Sequence, residues 1–312
     1  MLGRRRPPPR PVSSLDHRPR SVSELIDAAI ALVRRHFVRY CLVAACCLVP
    51  AQVIQLVVVK VTGLDFTNPT RLDFGAMGMV LAVSLAFVAL LESALAAAVA
   101  QTWTGSDEVD VPAALKAGLV RWVPALVAIV LKYLLLFALG MLGLLVGIML
   151  MVGVMLATGR KQPNDPLIIA FVVVSMVVGA LAALPAIGRL AVVPLTTILE
   201  RTNPVAALVR SNQLTRGLWK HAVGVSALAF VIAIVPYLGA SLLAGVVGSQ
   251  IVQQVVGVVA SVVLTPVYVA SLTALYYDLR IRKEGFDLEL MASRLATTVP
   301  DAGPDAPATR GA

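Results

Sequence analysis

Long apolar runs alternate with short polar segments along the whole chain. A helix that crosses the hydrocarbon core of a bilayer needs about 20 mostly apolar residues. The third and fourth runs are longer than a bilayer requires, so we expect them to tilt, protrude or begin with an interfacial part. The pattern predicts an all-α, polytopic membrane bundle of about six transmembrane helices. The six runs lie at 37–59, 75–101, 122–158, 167–198, 221–247 and 251–279.

Amphipathic segments precede the first, third and fifth runs. Ser21 and Glu24 have the spacing of a capping box at the start of the first segment. Pro112 and Pro204 open the other two, as suits the first turn of a helix. We therefore predict interfacial amphipathic helices before spans 1, 3 and 5. The segments are SVSELIDAAIALVRRHF, DVPAALKAGLVRW and NPVAALVRSNQLTRGLWK.

The three segments have a common layout. Arg35, Arg121 and Lys220 take corresponding places before spans 1, 3 and 5. One interpretation is a threefold repeat of an interfacial helix plus two spans, with every copy in the same orientation. The other is that any basic amphipathic segment before a span has this appearance. The sequence leaves both interpretations open.

Composition and charge set the environment and the orientation. The chain is 59% hydrophobic and 14% charged, whereas soluble domains carry about 25% charged residues. With the N-terminus inside, the cytoplasmic segments hold 20 Lys and Arg and the outer loops hold 4. This bias follows the positive-inside rule. We expect a multi-pass protein of the cell membrane, with both termini cytoplasmic and the basic arm facing anionic lipids of the inner leaflet.

The same pattern divides the chain into five parts. We predict a disordered basic arm, an interfacial helix, a six-helix membrane domain, a cytoplasmic amphipathic segment and a disordered tail. The segment after the last span contains a break at Gly285. It could dock on the bundle or form a solvated cap of the sixth span, and both interpretations stay open. The parts are 1–20, 21–36, 37–279, 280–297 and 298–312.

Ionisable residues inside the spans are the first candidates for function, because their burial in a membrane costs several kcal/mol. Glu92, Lys132 and Arg189 lie nine or ten residues from the predicted cytoplasmic ends of spans 2, 3 and 4. They could form an intramembrane polar cluster that binds an anion or a lipid headgroup. Alternatively, Lys132 and Arg189 mark the membrane edge and extend to the interface.

Other polar residues indicate less. We expect the glutamines of spans 1 and 6 to make interhelical hydrogen bonds. Cys41, Cys46 and Cys47 share one apolar run, have no metal-ligand spacing and are expected to be buried. The three histidines form no cluster in the sequence. We therefore predict no metal and no cofactor. Nucleic-acid binding is not expected, since orientation in the membrane accounts for the basic charge.

Three stretches resemble a bacterial and archaeal family of integral membrane proteins, the membrane domain that is also fused to some glycerophosphoryl diester phosphodiesterases. They are RPRSVSELIDAAIALVRRHF, residues 189–220 and LYYDLRIRKEGFDLEL at 275–290. The resemblance implies a six-helix membrane module whose own role is not established. The positions that match the family pattern are Glu200, Arg210, Ser211, Gly217, Trp219, Asp278, Arg280, Arg282, Glu284, Gly285 and Asp287.

The catalytic domain of those phosphodiesterases has no counterpart in this sequence. Their barrel needs about 250 residues of alternating strand and helix, and the polar segments here are short. We therefore expect no enzymatic activity. The first hypothesis is a non-enzymatic membrane module that interacts with lipids or assembles complexes. The alternative is a transporter of a small solute or lipid that uses the charged cluster. A polar vestibule that reaches the middle of the spans would favour the alternative.

Overall fold

The structure, a computed structural model, describes residues 20–63, 73–158 and 166–285. Within these ranges the regular secondary structure is α-helical. Six helical segments are long and apolar enough to cross a membrane, so the prediction of an all-α, six-span membrane bundle is confirmed. The helices are α1 (Val22–Arg35), α2 (Phe37–Thr62), α3 (Phe74–Trp103), α4 (Val111–Thr158), α5 (Pro166–Arg189), α6 (Val193–Leu199), α7 (Pro204–Thr215), α8 (Trp219–Val246) and α9 (Gln250–Glu284).

Helix α1 starts as its sequence predicts. The Glu24 amide donates to Ser21 Oγ at 3.3 Å, and the Ser21 amide donates to Glu24 Oε2 at 2.8 Å, which completes the capping box. The helix buries Leu25 and Ala29 against the bundle. A single residue, His36, separates α1 from the first span. The expected amphipathic helix before span 1 is therefore present and packed on the core.

The segment before span 3 differs from the prediction of a separate helix. Helix α4 runs without interruption through 48 residues, which corresponds to about 72 Å. The junctions before spans 1 and 5 contain a break, at His36 and at Gly217, whose φ is +81°. No comparable turn residue separates 111–121 from the third span. The amphipathic segment is therefore the first part of the spanning helix itself.

The fourth span also differs from the predicted continuous run. Helix α5 ends at Arg189, and α6 begins at Val193. Pro194 occupies the first turn of α6. Proline disfavours helical geometry in the residue before it and cannot donate a backbone hydrogen bond. The chain therefore turns at 190–192 and resumes as a short helix, and α6 packs against α3 and α4.

The two ends of the bundle are built differently. We call the end that carries α1, α6, α7 and the last turns of α9 the collar end. We call the opposite end, where α2 and α8 finish and α3 and α9 begin, the open end. Buried side chains concentrate in the collar half, for example Tyr40, Leu95 and Leu275. The core is therefore displaced toward the collar end.

Small residues allow the close packing of the collar half. A Cβ atom added to Gly118 of α4 would lie 2.9 Å from the backbone nitrogen of Ala94 in α3. A Cβ atom added to Gly188 of α5 would lie 2.5 Å from the carbonyl oxygen of Trp219. Such residues let helix backbones approach one another, which is a common basis of helix association in membranes. Spans 2 and 3, and spans 4 and 5, are held together in this way.

The far halves of α4 and α5 form an apolar projection. They meet where Gly143 faces Gly179, and a Cβ atom added to Gly143 would lie 3.8 Å from the Gly179 Cα atom. Large apolar side chains such as Leu134, Phe137 and Met149 remain exposed along α4. In a multi-pass membrane protein such side chains face lipid hydrocarbon, which has no tendency to expel them.

Several expectations concern residues outside the described ranges. These are the arm over 1–19, the outer-loop basic residues Arg71, Arg160 and Lys161, the matching position Asp287, and the tail. The break predicted at Gly285 is confirmed, because this residue ends α9 with a φ of +64°.

Of the cysteines, Cys47 is buried as expected, but Cys46 is exposed. Successive helix residues point about 100° apart, so neighbours in one apolar run face different surroundings.

Candidate functional site

A polar vestibule opens between two pairs of helices at the open end. Its volume is about 820 Å³, and it lies between α2 and α3 on one side and α8 and α9 on the other. Eight neutral polar side chains contribute to its walls, together with apolar residues such as Leu48, Phe87 and Val258. The polar set is Gln52, Gln55, Ser84, Tyr237, Ser241, Gln253, Gln254 and Ser261.

Hydrogen bonds orient part of this lining. Gln55 Nε2 donates to Ser84 Oγ at 2.8 Å, which links α2 to α3. Ser84 and Ser261 each donate to the carbonyl oxygen four residues earlier, at 2.7 Å and 2.8 Å. Their hydroxyl oxygens keep acceptor capacity toward the vestibule. The walls therefore offer amide donors and hydroxyl or amide acceptors without a formal charge.

Two interhelical contacts fix the register of α2 against α3. Tyr40 Oη and Thr102 Oγ1 are 2.6 Å apart in the collar half, and the bond from Gln55 to Ser84 lies near the open end. Because the two helices are antiparallel, interpolation between these contacts places Glu92 level with residues 47–50 of α2. Leu48 and Ala51 line the deepest part of the vestibule. Glu92 is therefore at the depth of the vestibule floor.

Glu92 interacts electrostatically with groups from two other helices. Lys132 of α4 has the opposite charge and acts on Glu92 electrostatically, as does Tyr268 of α9, but the described residues show no salt bridge between Glu92 and Lys132. Tyr133 joins the group, and the Lys132 Nζ lies 5.5 Å from the centre of its ring. Trp103 stacks on Tyr277 with ring centres 6.0 Å apart, which sets the parallel register of α3 and α9. In that register Tyr268 is level with residue 94, close to Glu92.

Arg189, the third member of the predicted cluster, has a different location. It is the exposed last residue of α5. Its carbonyl oxygen accepts a hydrogen bond of 2.7 Å from Ser211 Oγ of α7. The described residues show no contact of Arg189 with Glu92 or Lys132. The chain turns directly after Arg189, and both interpretations of this residue, the polar cluster and the membrane edge, stay predictions.

A charged network ties the collar helices together. Arg210 Nε donates to both oxygens of Glu200, at 3.0 Å and 2.8 Å, and Arg210 also pairs with Glu284. Tyr276 Oη donates to Glu200 at 3.0 Å, and Arg280 Nε donates to Glu284 at 2.9 Å. The hydrogen bond with Glu200 raises the pKa of Arg210, so its charge persists. The network joins α7 and the end of α6 to the last turns of α9.

Asp278 is the centre of a second network, and its side chain is only 2% exposed. Arg282 Nε donates to it at 2.7 Å, and the backbone N–H of Arg20 donates at 2.8 Å. His221 Nε2 lies 3.1 Å from Asp278 Oδ2. Arg282 also donates to the Arg20 carbonyl oxygen at 2.6 Å. The chain just before α1 is thereby fixed to α8 and α9.

The positions that carry the family resemblance meet at this collar end. Glu200, Arg210, Asp278, Arg282 and Glu284 all belong to the two networks. Gly217 provides the left-handed turn between α7 and α8, and Trp219 begins α8 against Gly188. The last turn of α9 contacts α7 through Glu284 and Arg210, and the rest of the predicted amphipathic segment, 286–297, lies outside the described residues. These residues hold the collar together through paired charges.

Some features of the site are not apparent in the sequence. The glutamines of spans 1 and 6 are predicted only to link helices, and the vestibule that they line is not predicted. Tyr237 and Tyr268 are not among the predicted residues, although tyrosines inside spans are a usable signal. His221 has no predicted partner, because its contact with Asp278 joins residues 57 positions apart. In the part of the chain that the structure describes, no three His, Cys, Asp or Glu side chains could hold a metal ion.

Comparison of the chain with protein families, curated proteins and solved structures gives no match. The resemblance to the phosphodiesterase-associated membrane family therefore stays a prediction. The geometry of the vestibule and of the collar provides the basis for a functional proposal.

Proposed function

We propose that this protein is a transporter that takes a small, uncharged, hydrogen-bonding solute into the vestibule and across the membrane. The observation that carries the proposal is the vestibule itself, which reaches the depth of Glu92. Its volume of about 820 Å³ falls within the usual range of small-molecule sites, about 300–1,000 Å³. Neutral amides and hydroxyls match polyols and small amides better than ions.

The free-energy cost of placing polar side chains in the vestibule wall supports a functional role for them. Polar groups within a membrane are expensive unless they are hydrogen-bonded or meet water. Eight neutral polar side chains on four helices converge on one space rather than on scattered pairwise contacts. A space used by water and a polar solute explains both their number and their convergence.

The distribution of basic residues supports a direction for this vestibule. The excess of Lys and Arg at the collar end favours a cytoplasmic location for that end under the positive-inside rule. The open end then faces the outside of the cell membrane. In this orientation the structure corresponds to an outward-open state, with its collar half closed.

A second role, interaction of the collar with anionic lipids, has an observation of its own. Val205 and Val209 lie one turn apart on α7 and are 66% and 55% exposed. Arg201, Arg216 and Lys220 flank them and are exposed as well. An apolar stripe beside basic residues is the pattern of a helix that lies in the headgroup region. This role is compatible with transport and does not require the vestibule.

Cysteine accessibility tests whether the vestibule contains water. In a background with Cys41, Cys46 and Cys47 replaced by alanine, Gln52→Cys places a thiol in the vestibule. Val53→Cys is the matched control, because Val53 is 54% exposed on the outside of the bundle. We expect a membrane-impermeant, positively charged methanethiosulfonate, added to intact cells, to label Gln52→Cys and to leave Val53→Cys unlabelled. Equal labelling of both positions, or of neither, would contradict the proposed vestibule.

Solute flux provides the functional test. Proteoliposomes are subjected to an osmotic gradient of glycerol, urea or sorbitol, and their volume is followed by stopped-flow light scattering. We expect faster equilibration than in protein-free vesicles for at least the smallest solutes, and a slower rate for the variant in which Gln52, Gln55 and Gln254 are leucine. Rates equal to those of protein-free vesicles for all three solutes would count against transport.

A further inference from the structure

The hydrogen bonds in the vestibule wall have a direction, and this direction decides what the wall offers to a solute. Ser84 Oγ donates its single hydrogen to the Val80 carbonyl oxygen at 2.7 Å. Toward Gln55, whose Nε2 lies 2.8 Å away, the same oxygen can therefore act only as an acceptor. The Gln55 side chain must turn its nitrogen to Ser84. Its amide is thus oriented, and its carbonyl oxygen Oε1 takes no part in this bond.

Ser261 has a similar arrangement on the other side of the vestibule. Its hydroxyl donates to the Gly257 carbonyl oxygen, one turn earlier in α9, at 2.8 Å. A hydroxyl group has one hydrogen, so toward the vestibule the Ser261 oxygen is an acceptor as well. Gln55 and Ser84 belong to α2 and α3, whereas Ser261 belongs to α9. Oriented acceptors therefore lie on both walls.

The oriented groups offer more acceptor than donor capacity. Their acceptor atoms are Gln55 Oε1, Ser84 Oγ and Ser261 Oγ, whereas the donor that remains to them is the second N–H of Gln55. The other polar side chains of the wall make no hydrogen bond with the described residues. Those side chains can rotate to meet a donor or an acceptor. Selectivity must therefore come from the oriented groups.

We propose that the vestibule selects solutes by their hydrogen-bond donors, with Gln55 as the specificity-determining residue and Ser84 as the residue that positions it. The inference rests on the transport function proposed above and specifies its substrate class, neutral polyols and ureas. Hydroxyl or N–H groups of such a solute donate to Gln55 Oε1 and replace the water that pairs with it. A solute that has acceptors but no donors displaces the same water without replacing its hydrogen bonds, which lowers affinity.

Protection of a nearby thiol tests which solutes the oriented groups hold. Gln52 and Gln55 are neighbours on one face of α2, so a solute bound to Gln55 covers a thiol at position 52. The probe is the charged methanethiosulfonate, applied to Gln52→Cys of the full chain in proteoliposomes, with the native cysteines replaced by alanine. Urea and dimethyl sulfoxide have the same number of non-hydrogen atoms, but only urea has donors. We expect urea and glycerol to slow labelling about fivefold more than dimethyl sulfoxide at equal concentration, the effect of about one hydrogen bond.

Substitution of Gln55 tests its role as the specificity-determining residue. Gln55→Met keeps the approximate length of the side chain and removes the acceptor oxygen. We expect the difference between urea and dimethyl sulfoxide to disappear in this variant. Labelling of Gln52→Cys without any solute, together with the size-exclusion profile, shows whether the variant is folded.

Substitution of Ser84 tests its positioning role. In Ser84→Ala the Gln55 amide can turn either end toward the vestibule, so we expect a smaller difference between urea and dimethyl sulfoxide. Ser84→Thr keeps a hydroxyl that can bond to the carbonyl of the preceding turn, and it should restore the difference. Ser93→Ala is the matched control, because Ser93 of the same helix donates to the Ala89 carbonyl oxygen at 2.7 Å but does not line the vestibule. A merely structural role of Ser84 would alter stability and leave the ratio of the two solutes unchanged.

The outcomes separate this inference from the transport proposal. Protection that is absent or equal for the three solutes, or a preference for urea that survives in Gln55→Met, overturns selection by donors, whatever the flux. Failure of Ser84→Thr to restore a preference lost in Ser84→Ala overturns the positioning role. Absence of solute flux, with protection by urea intact, overturns transport and leaves a donor-selective binding site. A preference for urea that requires both Gln55 and the hydroxyl at position 84 supports the inference.

Discussion

The two halves of this bundle use polar side chains in opposite ways. At the collar end, charged groups form paired networks, in which Arg210 bonds to both Glu200 and Glu284 and Asp278 bonds to Arg282. At the open end, uncharged groups such as Gln52 and Gln254 face a common space. Paired charges fix geometry, whereas neutral groups around a cavity can exchange partners with water or a solute. From this difference we expect the collar end to be rigid and the side chains of the open end to exchange hydrogen-bond partners.

The largest effect should follow from disrupting the collar at Asp278. Asp278→Asn leaves Arg282 without its counter-charge. Removing one partner of a buried charged pair costs about 3–5 kcal/mol. We expect a large drop in the thermal unfolding temperature in detergent, measured by intrinsic fluorescence. Asp107→Asn is the control, because the Asp107 side chain is 88% exposed. If the unfolding temperature fell equally in both variants, Asp278 would contribute no more to stability than an exposed surface carboxylate.

Close packing within the collar half should produce the next effect. Gly118→Ala brings a Cβ atom to 2.9 Å from the backbone of Ala94, where backbone must shift. Overpacking of this kind costs about 1–3 kcal/mol. Gly140→Ala on the same helix is the matched control, because a Cβ atom there has no neighbour within 4 Å. Thermal unfolding of both variants checks the prediction. Equal unfolding temperatures would show that the backbones of α3 and α4 can move apart at this point with little loss of stability.

At the open end, removal of a polar group should affect flux more than stability. Gln55→Leu loses the hydrogen bond to Ser84, which is worth about 1 kcal/mol, and puts an apolar side chain in the wall of the vestibule. We expect a small change in unfolding temperature and a clear decrease in the rate of glycerol equilibration. Ser226→Ala, which removes a buried hydroxyl that has no partner in the described part of the chain, should change neither. If Gln55→Leu lowered the unfolding temperature as much as Asp278→Asn, the proposed difference between the collar end and the open end would be contradicted.

The smallest effect concerns an exposed ion pair. A hydrogen bond of Arg39 with Glu108 lowers the pKa of Glu108. Because the folded-state pKa lies below that of the unfolded chain, the pair stabilises the fold at neutral pH, and this contribution disappears as pH falls through the folded-state pKa. We expect Glu108→Gln to lower the unfolding temperature slightly at neutral pH and not at all in acid. A difference that grows on acidification would have the wrong sign.

Local signals in the sequence predicted the elements that local chemistry controls. The capping box of Ser21 and Glu24, the start of α7 at Pro204 and the left-handed end of α9 at Gly285 all lie where their residue types require. The spans followed from the length of the apolar runs. These features depend on residues within a few positions of one another, so they can be predicted directly from short stretches of the sequence.

Features that depend on distant residues could not be predicted in this way. The hydrogen bond of Tyr276 to Glu200 crosses 76 positions, and that of Arg20 to Asp278 crosses 258. The vestibule exists because two helix pairs diverge, and divergence is a property of their packing. The turn at 190–192, which divides the fourth apolar run into α5 and α6, is likewise not apparent in that run. Long-range packing decides all of these.

Helix α4 is long and uninterrupted, so a small tilt near one end would be amplified at the other end. Ala128 packs against Val193 and Ala207 of the collar helices, and we take this contact as the pivot about which α4 would tilt. About 30 residues extend from that point to the far end of the helix, a distance of about 45 Å. A tilt of about 5° at the pivot would displace the far end by about 4 Å, while Lys132, one turn from the pivot, would barely move. A small rearrangement near Lys132 would therefore be magnified at the opposite surface of the membrane.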